Sequence, residues 1–132
     1  MEATARGVYQ LTVTGEFAAA HCLRNYGGAC ENLHGHNFAV EVVIRGEKLH
    51  PEVDILMDFK ELKSRLAAVL AELDHRHVND LPAFSTRNPS SEMLAKYIYE
   101  GLKGRLADVD RVSLVSVSVS EKASSKATYM EM

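Results

Sequence analysis

The alternation of apolar and polar side chains predicts two strands in the first third of the chain. The first strand begins at Tyr9 and continues to Ala20, with Gly15 as a candidate bulge. A run rich in β-branched residues, from about Asn37 to Arg45, predicts the second strand. The segment 23–33 between them contains two adjacent glycines and is expected to be a loop.

Apolar residues at helical spacing predict two helices in the middle of the chain. The first covers about 58–73, with Asp58 as its N-cap. The second begins near Asn88 or Pro89 and stops near Gly104. The expected buried positions are Leu62, Leu66, Val69, Leu70 and Leu73 in the first helix and Met93, Leu94, Tyr97, Ile98 and Leu102 in the second.

The clearest strand pattern follows the second helix. Val115, Val117 and Val119 alternate with serines, and residues 127–131 form a candidate last strand, whereas 74–87 is polar and predicted to be irregular. Strands therefore flank the helices without alternating with them. This order predicts one α+β domain over residues 1–132, with a four-stranded antiparallel sheet and two helices on one face. Unpaired edges of such a sheet favour association between copies of the chain.

Composition excludes few function classes. The chain of 132 residues is 46% hydrophobic and 25% charged, with a net charge of −3, so nothing indicates nucleic-acid or membrane partners. No apolar run approaches a membrane span, and the N-terminal residues lack the apolar core of a secretory signal. The 2 cysteines are too few for a disulfide framework, so a reduced, cytoplasmic setting is expected.

Three histidines are candidate metal ligands. His34 and His36 lie two positions apart, so in an extended chain their side chains point to the same face. His21 ends another apolar stretch and offers a third imidazole. A lone histidine is more often a core or surface residue, but three neutral imidazoles give zinc the ligand set of a catalytic site with an open position.

Cys30 has two interpretations. It is either a structural residue, as a zinc ligand or a small buried hydrophobe, or a reactive thiolate near the metal. A closed Cys2His2 site with Cys22, Cys30, His34 and His36 is conceivable. However, Cys22 directly follows His21, and adjacent side chains of an extended chain face opposite ways, so Cys22 is assigned to packing.

Other polar residues also have a structural and a functional interpretation. Asp74 and His75 either end a helix in solvent or form a carboxylate–imidazole proton relay. Glu121 is either an exposed strand end or a carboxylate that binds the N–C–N edge of a heterocycle. Ser90 and Ser91 are most simply a helix cap, although amides and hydroxyls there could bind a ligand.

The chain resembles a known family through several motifs that occur in the same order along almost its whole length. It resembles the 6-pyruvoyl-tetrahydropterin synthase family, and within it the bacterial 6-carboxy-tetrahydropterin synthases. The motifs are Phe17-Ala18-Ala19-Ala20-His21, Cys30-Glu31-Asn32-Leu33-His34-Gly35-His36, Met57-Asp58-Phe59-Lys60-Glu61-Leu62-Lys63, Leu73-Asp74-His75 with Asn79-Asp80, Pro89-Ser90-Ser91-Glu92 and Val119-Ser120-Glu121.

The resemblance implies a tunnelling fold and an assembly. Sheets from three subunits would join into a barrel, two trimers would stack into a hexamer, and active sites would lie between subunits. The implied site residues are the zinc ligands His21, His34 and His36, the catalytic Cys30, the relay pair Asp74 and His75, the pterin anchor Glu121, and the pterin contacts Ser90 and Ser91.

The spacing of Cys30 from the His-Gly-His motif resembles the 6-carboxy enzymes, which serve queuosine biosynthesis. The implied reaction converts 7,8-dihydroneopterin triphosphate to 6-carboxy-5,6,7,8-tetrahydropterin, acetaldehyde and triphosphate. Glu31 is a departure from this pattern. A further subgroup carries a Glu in place of the cysteine and makes 6-hydroxymethyl-7,8-dihydropterin for folate synthesis. Glu31 is thus either a solvated loop residue or the sign of a dual activity, and 6-pyruvoyl-tetrahydropterin synthesis or a zinc-stabilised pterin-binding module without catalysis remain alternatives.

Overall fold

A computed structural model describes residues 4–28 and 32–132 of the chain. It shows an α+β fold, as the sequence predicts, with five strands and two helices in the described part. Neither of these helices is long and apolar enough to cross a membrane. The elements are β1 (Tyr9–His21), β2 (His34–Gly46), α1 (Phe59–Leu70), β3 (Arg76–His77), α2 (Ser91–Arg105), β4 (Ser113–Lys122) and β5 (Ser125–Tyr129).

The sheet has five strands in the order β3-β1-β2-β4-β5, so the prediction of four strands is wrong. The additional strand β3 pairs in parallel with Ala19 and Ala20 of β1, while all other pairs are antiparallel. A strand of two residues has no periodicity of its own. Its segment, predicted to be irregular, also contains 3₁₀ turns at Val78–Asp80 and Pro82–Phe84.

The long hairpin partners β1 and β2 pair without interruption, from Tyr9 opposite Gly46 to His21 opposite His34. The predicted bulge at Gly15 is wrong, because Gly15 pairs in register with Val40. The glycine instead makes room for α1. A Cβ atom at position 15 would lie only 3.1 Å from a methyl carbon of Leu70.

Helix α1 begins where the sequence predicts. The carboxylate of Asp58 accepts a hydrogen bond from the Lys60 amide at 2.8 Å and caps the helix. The helix ends at Leu70, three residues earlier than predicted, but Leu73 is still fully buried. The apolar face thus continues past the last helical turn.

Helix α2 begins at Ser91, later than predicted, and Ser90 is its N-cap. The Ser90 hydroxyl accepts a hydrogen bond from the Met93 amide at 3.2 Å. Pro89 therefore precedes the helix, and its carbonyl oxygen lies 2.7 Å from Nδ1 of His21. The buried face includes Ala95 and Tyr99 together with the predicted Leu94, Ile98 and Leu102, whereas Met93 and Tyr97 are only partly buried.

One extra residue sits in β4. Ser116 pairs with Val43 and Leu114 pairs with the next residue, Ile44, so Val115 is left out of the register. Beyond this bulge Val117 and Val119 face the helices and are fully buried. Strand β5, which pairs with β4, begins at Ser125, two residues earlier than predicted.

The core lies between one face of the sheet and the two helices. At one end of this face the stacked rings of Phe17 and Phe38, 4.8 Å apart, are followed by histidines. The His21 ring contacts Phe38 edge to face at 5.2 Å. The apolar core therefore passes directly into a polar cluster where β1 ends and β2 begins.

Candidate active site

Three imidazoles converge on the helix-facing side of the sheet. His21 is the last residue of β1 and lies opposite His34, while His36 lies two residues further along β2 on the same face. Their ring centroids are 4.5 Å (His21–His34), 4.8 Å (His34–His36) and 5.8 Å (His21–His36) apart. Strand alternation on two paired strands is enough to bring the three rings together.

The carboxylate of Glu121, in β4, completes the cluster. Its Oε1 lies 3.0 Å from Nε2 of His21 and its Oε2 lies 3.2 Å from Nε2 of His36. One ligand atom from each of His21, His34, His36 and Glu121 lies within 4.8 Å of the others. No other group of three or more His, Cys, Asp or Glu within residues 4–28 and 32–132 meets this condition.

Two of the imidazoles are oriented by backbone carbonyls. Nδ1 of His21 lies 2.7 Å from the carbonyl oxygen of Pro89, and Nδ1 of His34 lies 2.7 Å from that of Asn32. A carbonyl oxygen only accepts hydrogen bonds, so each Nδ1 carries the proton. In the neutral rings the lone pair then resides on Nε2. This arrangement is typical of metal-binding histidines, whose second nitrogen donates to a carbonyl or carboxylate.

The interior of the cluster fits a cation. His21 is only 1% exposed, and its Nε2 makes no hydrogen bond of acceptable geometry although a carboxylate oxygen is 3.0 Å away. Burial lowers the pKa of His21, and the Pro89 contact and the Glu121 charge oppose this only in part. A neutral His21 therefore directs a lone pair at the Glu121 carboxylate. Two acceptors at this distance are stabilised by a cation between them, and neutral imidazole is the form that binds metals.

Asp74 and His75 form a pair outside this cluster. One Asp74 oxygen accepts from the Ala18 amide at 2.9 Å, and the other lies 2.9 Å from Nδ1 of His75. These contacts, the Ala18 hydrogen bond first, lower the pKa of Asp74. His75 has a positive φ of 58° and its side chain is 82% exposed. His75 and His36 line the same open groove of about 550 Å³.

The remaining predicted site residues divide into two groups. Ser90 and Ser91 line a cavity of about 470 Å³ together with Glu121 and Leu23. The Ser90 hydroxyl also caps α2, so the structural interpretation of that residue holds. Cys30 and Glu31 lie outside the described residues. Cys22 is partly buried and is not among the four residues of the cluster.

Sequence reasoning missed two asparagines that support the site. Asn79 and Asn88 each hydrogen-bond the backbone of the segment that follows His21. Pro89, expected inside α2, instead presents its carbonyl to His21. Asn79 belongs to one of the motifs shared with the family, but no local pattern gives either asparagine a role, because their contacts are with residues more than fifty positions away.

The chain is similar over most of its length to known proteins. Its residues 10–132 match the family model described as 6-pyruvoyl tetrahydropterin synthase. A 6-carboxy-5,6,7,8-tetrahydropterin synthase from Synechocystis sp. is 34% identical over 117 residues, 86% of each chain. A dihydroneopterin monophosphate aldolase from Pyrococcus furiosus is 38% identical over 90 residues, 68% of this chain and 71% of the relative.

A solved structure extends the likeness to the fold. The 6-pyruvoyl tetrahydropterin synthase of Caenorhabditis elegans superimposes with a TM-score of 0.84 at 28% identity, covering 98% of this chain and 100% of that one. Sequence and fold agree over the same residues, including both strands that carry the histidines. On these grounds the chain belongs to the 6-pyruvoyl tetrahydropterin synthase family.

Proposed function

We propose that the chain is a zinc-dependent 6-carboxy-5,6,7,8-tetrahydropterin synthase of queuosine biosynthesis. It would convert 7,8-dihydroneopterin triphosphate to 6-carboxytetrahydropterin, acetaldehyde and triphosphate. The observation that carries the proposal is the cluster of three histidines and one carboxylate, in which Nε2 of His21 and Nε2 of His36 lie within 3.2 Å of the Glu121 oxygens. The name of the Synechocystis relative supports the choice of reaction.

His21, His34 and His36 would hold the zinc ion through their Nε2 atoms. Two of the three rings already have Nδ1 bound to carbonyl oxygens, so little reorientation is needed on binding. A bound zinc would supply Lewis acidity that lowers the pKa of the hydroxyls on the substrate side chain.

Glu121 would anchor the pterin ring through two charge-assisted hydrogen bonds to its N–C–N edge. Both of its carboxylate oxygens face histidines in the structure, although the residue also lines the cavity of Ser90 and Ser91. Ring binding therefore competes with the contacts of Glu121 to His21 and His36. The carboxylate would turn toward this cavity when the ring enters, and the two serines would contact the ring there.

Proton transfer would involve Cys30, Asp74 and His75. Cys30 as thiolate would remove a proton from the substrate side chain. His75, held through Nδ1 by Asp74, would return a proton on the other face and assist carbon–carbon cleavage. The exposure of His75 is compatible with a site shared between subunits of a hexamer, built as a dimer of trimers.

A second candidate is the folate-route reaction that yields 6-hydroxymethyl-7,8-dihydropterin, alone or in addition. It is favoured by Glu31 beside Cys30 and by the Pyrococcus furiosus relative, which is named as an aldolase of dihydroneopterin monophosphate. A carboxylate in place of a thiolate would be a general base of different strength and position. We expect Glu31→Ala to spare the carboxy product and reduce any hydroxymethyl product.

The deciding experiment is a product assay on 7,8-dihydroneopterin triphosphate, with pterin products separated by mass. The expected result is 6-carboxytetrahydropterin with acetaldehyde, absent in the His34→Ala variant. A hydroxymethyl product would support the second candidate. Pterin binding without turnover by the zinc-loaded protein would contradict both and indicate a binding module.

Cys30→Ala provides a separate test of the site. We expect turnover to be abolished while zinc remains bound, because the three histidines suffice as ligands. Cys22→Ala is the matched control and should retain activity. Loss of zinc from the Cys30 variant, measured by metal analysis after dialysis, would instead support a structural site containing that sulfur.

A further inference from the structure

We propose that Asn79 and Asn88 are positioning residues that together fix the segment 22–24 and thereby orient His21 toward the metal. We call this pair of side chains the amide clamp. The inference deepens the metal centre proposed above and depends on it. Neither asparagine touches the cluster itself, so each would act through backbone groups.

The clamp consists of four hydrogen bonds of similar length. Oδ1 of Asn79 accepts from the Cys22 amide at 2.9 Å, and its Nδ2 donates to the Cys22 carbonyl at 3.0 Å. Asn88 repeats the arrangement two residues further along. Its Oδ1 accepts from the Arg24 amide at 2.9 Å, and its Nδ2 donates to the Arg24 carbonyl at 2.9 Å.

The two side-chain amides make the hydrogen bonds that the backbone of a neighbouring strand would otherwise make. A primary amide offers the same donor and acceptor as a peptide group, and alternate residues of an extended chain direct their backbone groups to the same edge. Strand β3 pairs with Ala19 and Ala20 along this edge and then turns away into the 3₁₀ turn that contains Asn79. The two amides continue the ladder beyond the end of β1, on residues 22 and 24.

The side chain of Arg24 in turn binds the segment 79–88 that carries the two asparagines. The guanidinium of Arg24 donates to the carbonyls of Phe84 at 2.9 Å, Arg87 at 3.3 Å and Asn79 at 3.5 Å. Asn79 is only 9% exposed, so losing its partners would leave buried polar groups unpaired. The contacts on both sides fix residues 79–88 against residues 22–24.

The clamp borders both the metal ligand and the substrate cavity. Pro89 directly follows Asn88, and its carbonyl accepts the Nδ1 proton of His21 at 2.7 Å. Leu23, between the two clamped residues, lines the cavity that contains Ser91 and Glu121. Removing the Asn88 amide would therefore loosen the segment that presents the Pro89 carbonyl to His21, and removing the Asn79 amide would free Cys22, which directly follows His21.

The test is a Co²⁺ titration of metal-free protein, because the visible spectrum of Co²⁺ reports its coordination geometry. We expect Asn79→Ala and Asn88→Ala to weaken Co²⁺ binding about 10–100-fold, the usual effect of losing a group that orients a ligand. Their spectra should differ from that of the wild type. The nearly isosteric Asn79→Asp and Asn88→Asp keep the acceptor oxygen but place a carboxylate oxygen against the Cys22 or Arg24 carbonyl in place of the donor, so they should also weaken Co²⁺ binding. Hydrogen exchange of the amides at residues 22–24 should be faster in all four variants.

The matched control is Ile98→Val, in the core of α2, together with Ile98→Ala if a larger loss of thermal stability must be matched. Both should keep the wild-type affinity and spectrum. Clamp variants that bind Co²⁺ like the wild type would overturn the clamp and leave the metal centre intact. A wild-type protein that binds no Co²⁺ would overturn the metal centre and the clamp with it. If the alanine variants do not fold, the aspartate variants decide by the same criteria.

Discussion

Glu121 links the proposed metal site to the proposed pterin site. Its carboxylate lies within 3.2 Å of two histidine Nε2 atoms, yet it also lines the cavity proposed for the pterin ring. The two carboxylate oxygens cannot bind the histidines and the pterin ring at the same time. Under the proposed role, its contacts with the histidines belong to the substrate-free site.

We expect Glu121→Gln to raise KM for 7,8-dihydroneopterin triphosphate by about 10–100-fold. A neutral amide cannot accept two charge-assisted hydrogen bonds, each worth about 1.5–3 kcal/mol, from the ring edge. Steady-state kinetics with Glu92→Gln, in the same cavity, as control would measure the effect. An unchanged KM would remove Glu121 from ring binding.

The pH dependence of stability tests the state of His21. Burial lowers its pKa from the ordinary value of 6.5, so below pH 6.5 the unfolded chain binds more protons at this residue than the native protein. The free energy of unfolding of the metal-free protein should therefore fall as the pH drops below 6.5, by at most about 1.4 kcal/mol per pH unit from this group.

Urea denaturation between pH 8 and pH 5 would measure this slope. His21→Asn should make the slope smaller, since that side chain does not titrate. A metal-free protein with the same slope before and after the substitution would show that His21 is not held neutral. Added Zn²⁺ should raise the urea midpoint of the wild-type protein if it binds only the native state, and should raise that of His21→Asn less, because a proposed ligand is missing.

At the residue scale the sequence predicts much of the cluster. His34 and His36 share a face because strand geometry is local, and His21 follows from the same alternation in β1. The orientation of these rings was not predictable, because it depends on the carbonyl of Pro89, 68 residues from His21 in sequence. Cys30 and Glu31 stay predictions.

Glycines test the packing of the strands and helices. Gly46, at the end of β2, has no room for a side chain, because a Cβ atom there would lie 2.1 Å from the carbonyl oxygen of Arg111. We expect Gly46→Ala to lower the free energy of unfolding by about 3 kcal/mol or more, since backbone must shift. Equilibrium unfolding in urea would measure it.

Gly104 is the matched control, because nothing lies within 4 Å of a Cβ atom at that position in α2. Gly104→Ala should raise the free energy of unfolding by about 0.4–1 kcal/mol by restricting the unfolded chain. Equal effects of the two substitutions would contradict this account of Gly46.

At the scale of elements, periodicity located both helices and four of the strands. The predictions of elements and their ends were wrong where the sequence has no local pattern. Strand β3 forms only because β1 offers an edge, and α2 starts at Ser91 because the Ser90 hydroxyl caps it. Ends of elements depend on such single contacts, whereas their interiors depend on repeated apolar positions.

The whole molecule leaves strands β3 and β5 at the two edges of its sheet. The face opposite the helices carries hydroxyl residues, and Ser118 and Thr128 hydrogen-bond there at 2.7 Å. Such edges favour pairing with further copies. We expect native mass spectrometry and sedimentation to give a hexamer that passes through trimers on dilution.

A stable monomer with full activity would contradict this assembly. Trimers that retain activity would show that each active site is formed within a single trimer. The number of subunits was implied only by the family resemblance, because edge pairing alone does not determine how many copies close a ring.

The bulge at Val115 has a consequence for the evolution of the site. Strand side chains alternate, so one inserted residue exchanges the two faces of everything beyond it. If Val115 were absent and Leu114 kept its pairing with Ile44, the serines of β4 would point into the core, and Glu121 would lie on the far side of the sheet from His21 and His36. In that register a single codon deletion would separate the carboxylate from the histidines, although His21, His34, His36 and Glu121 would all still be encoded.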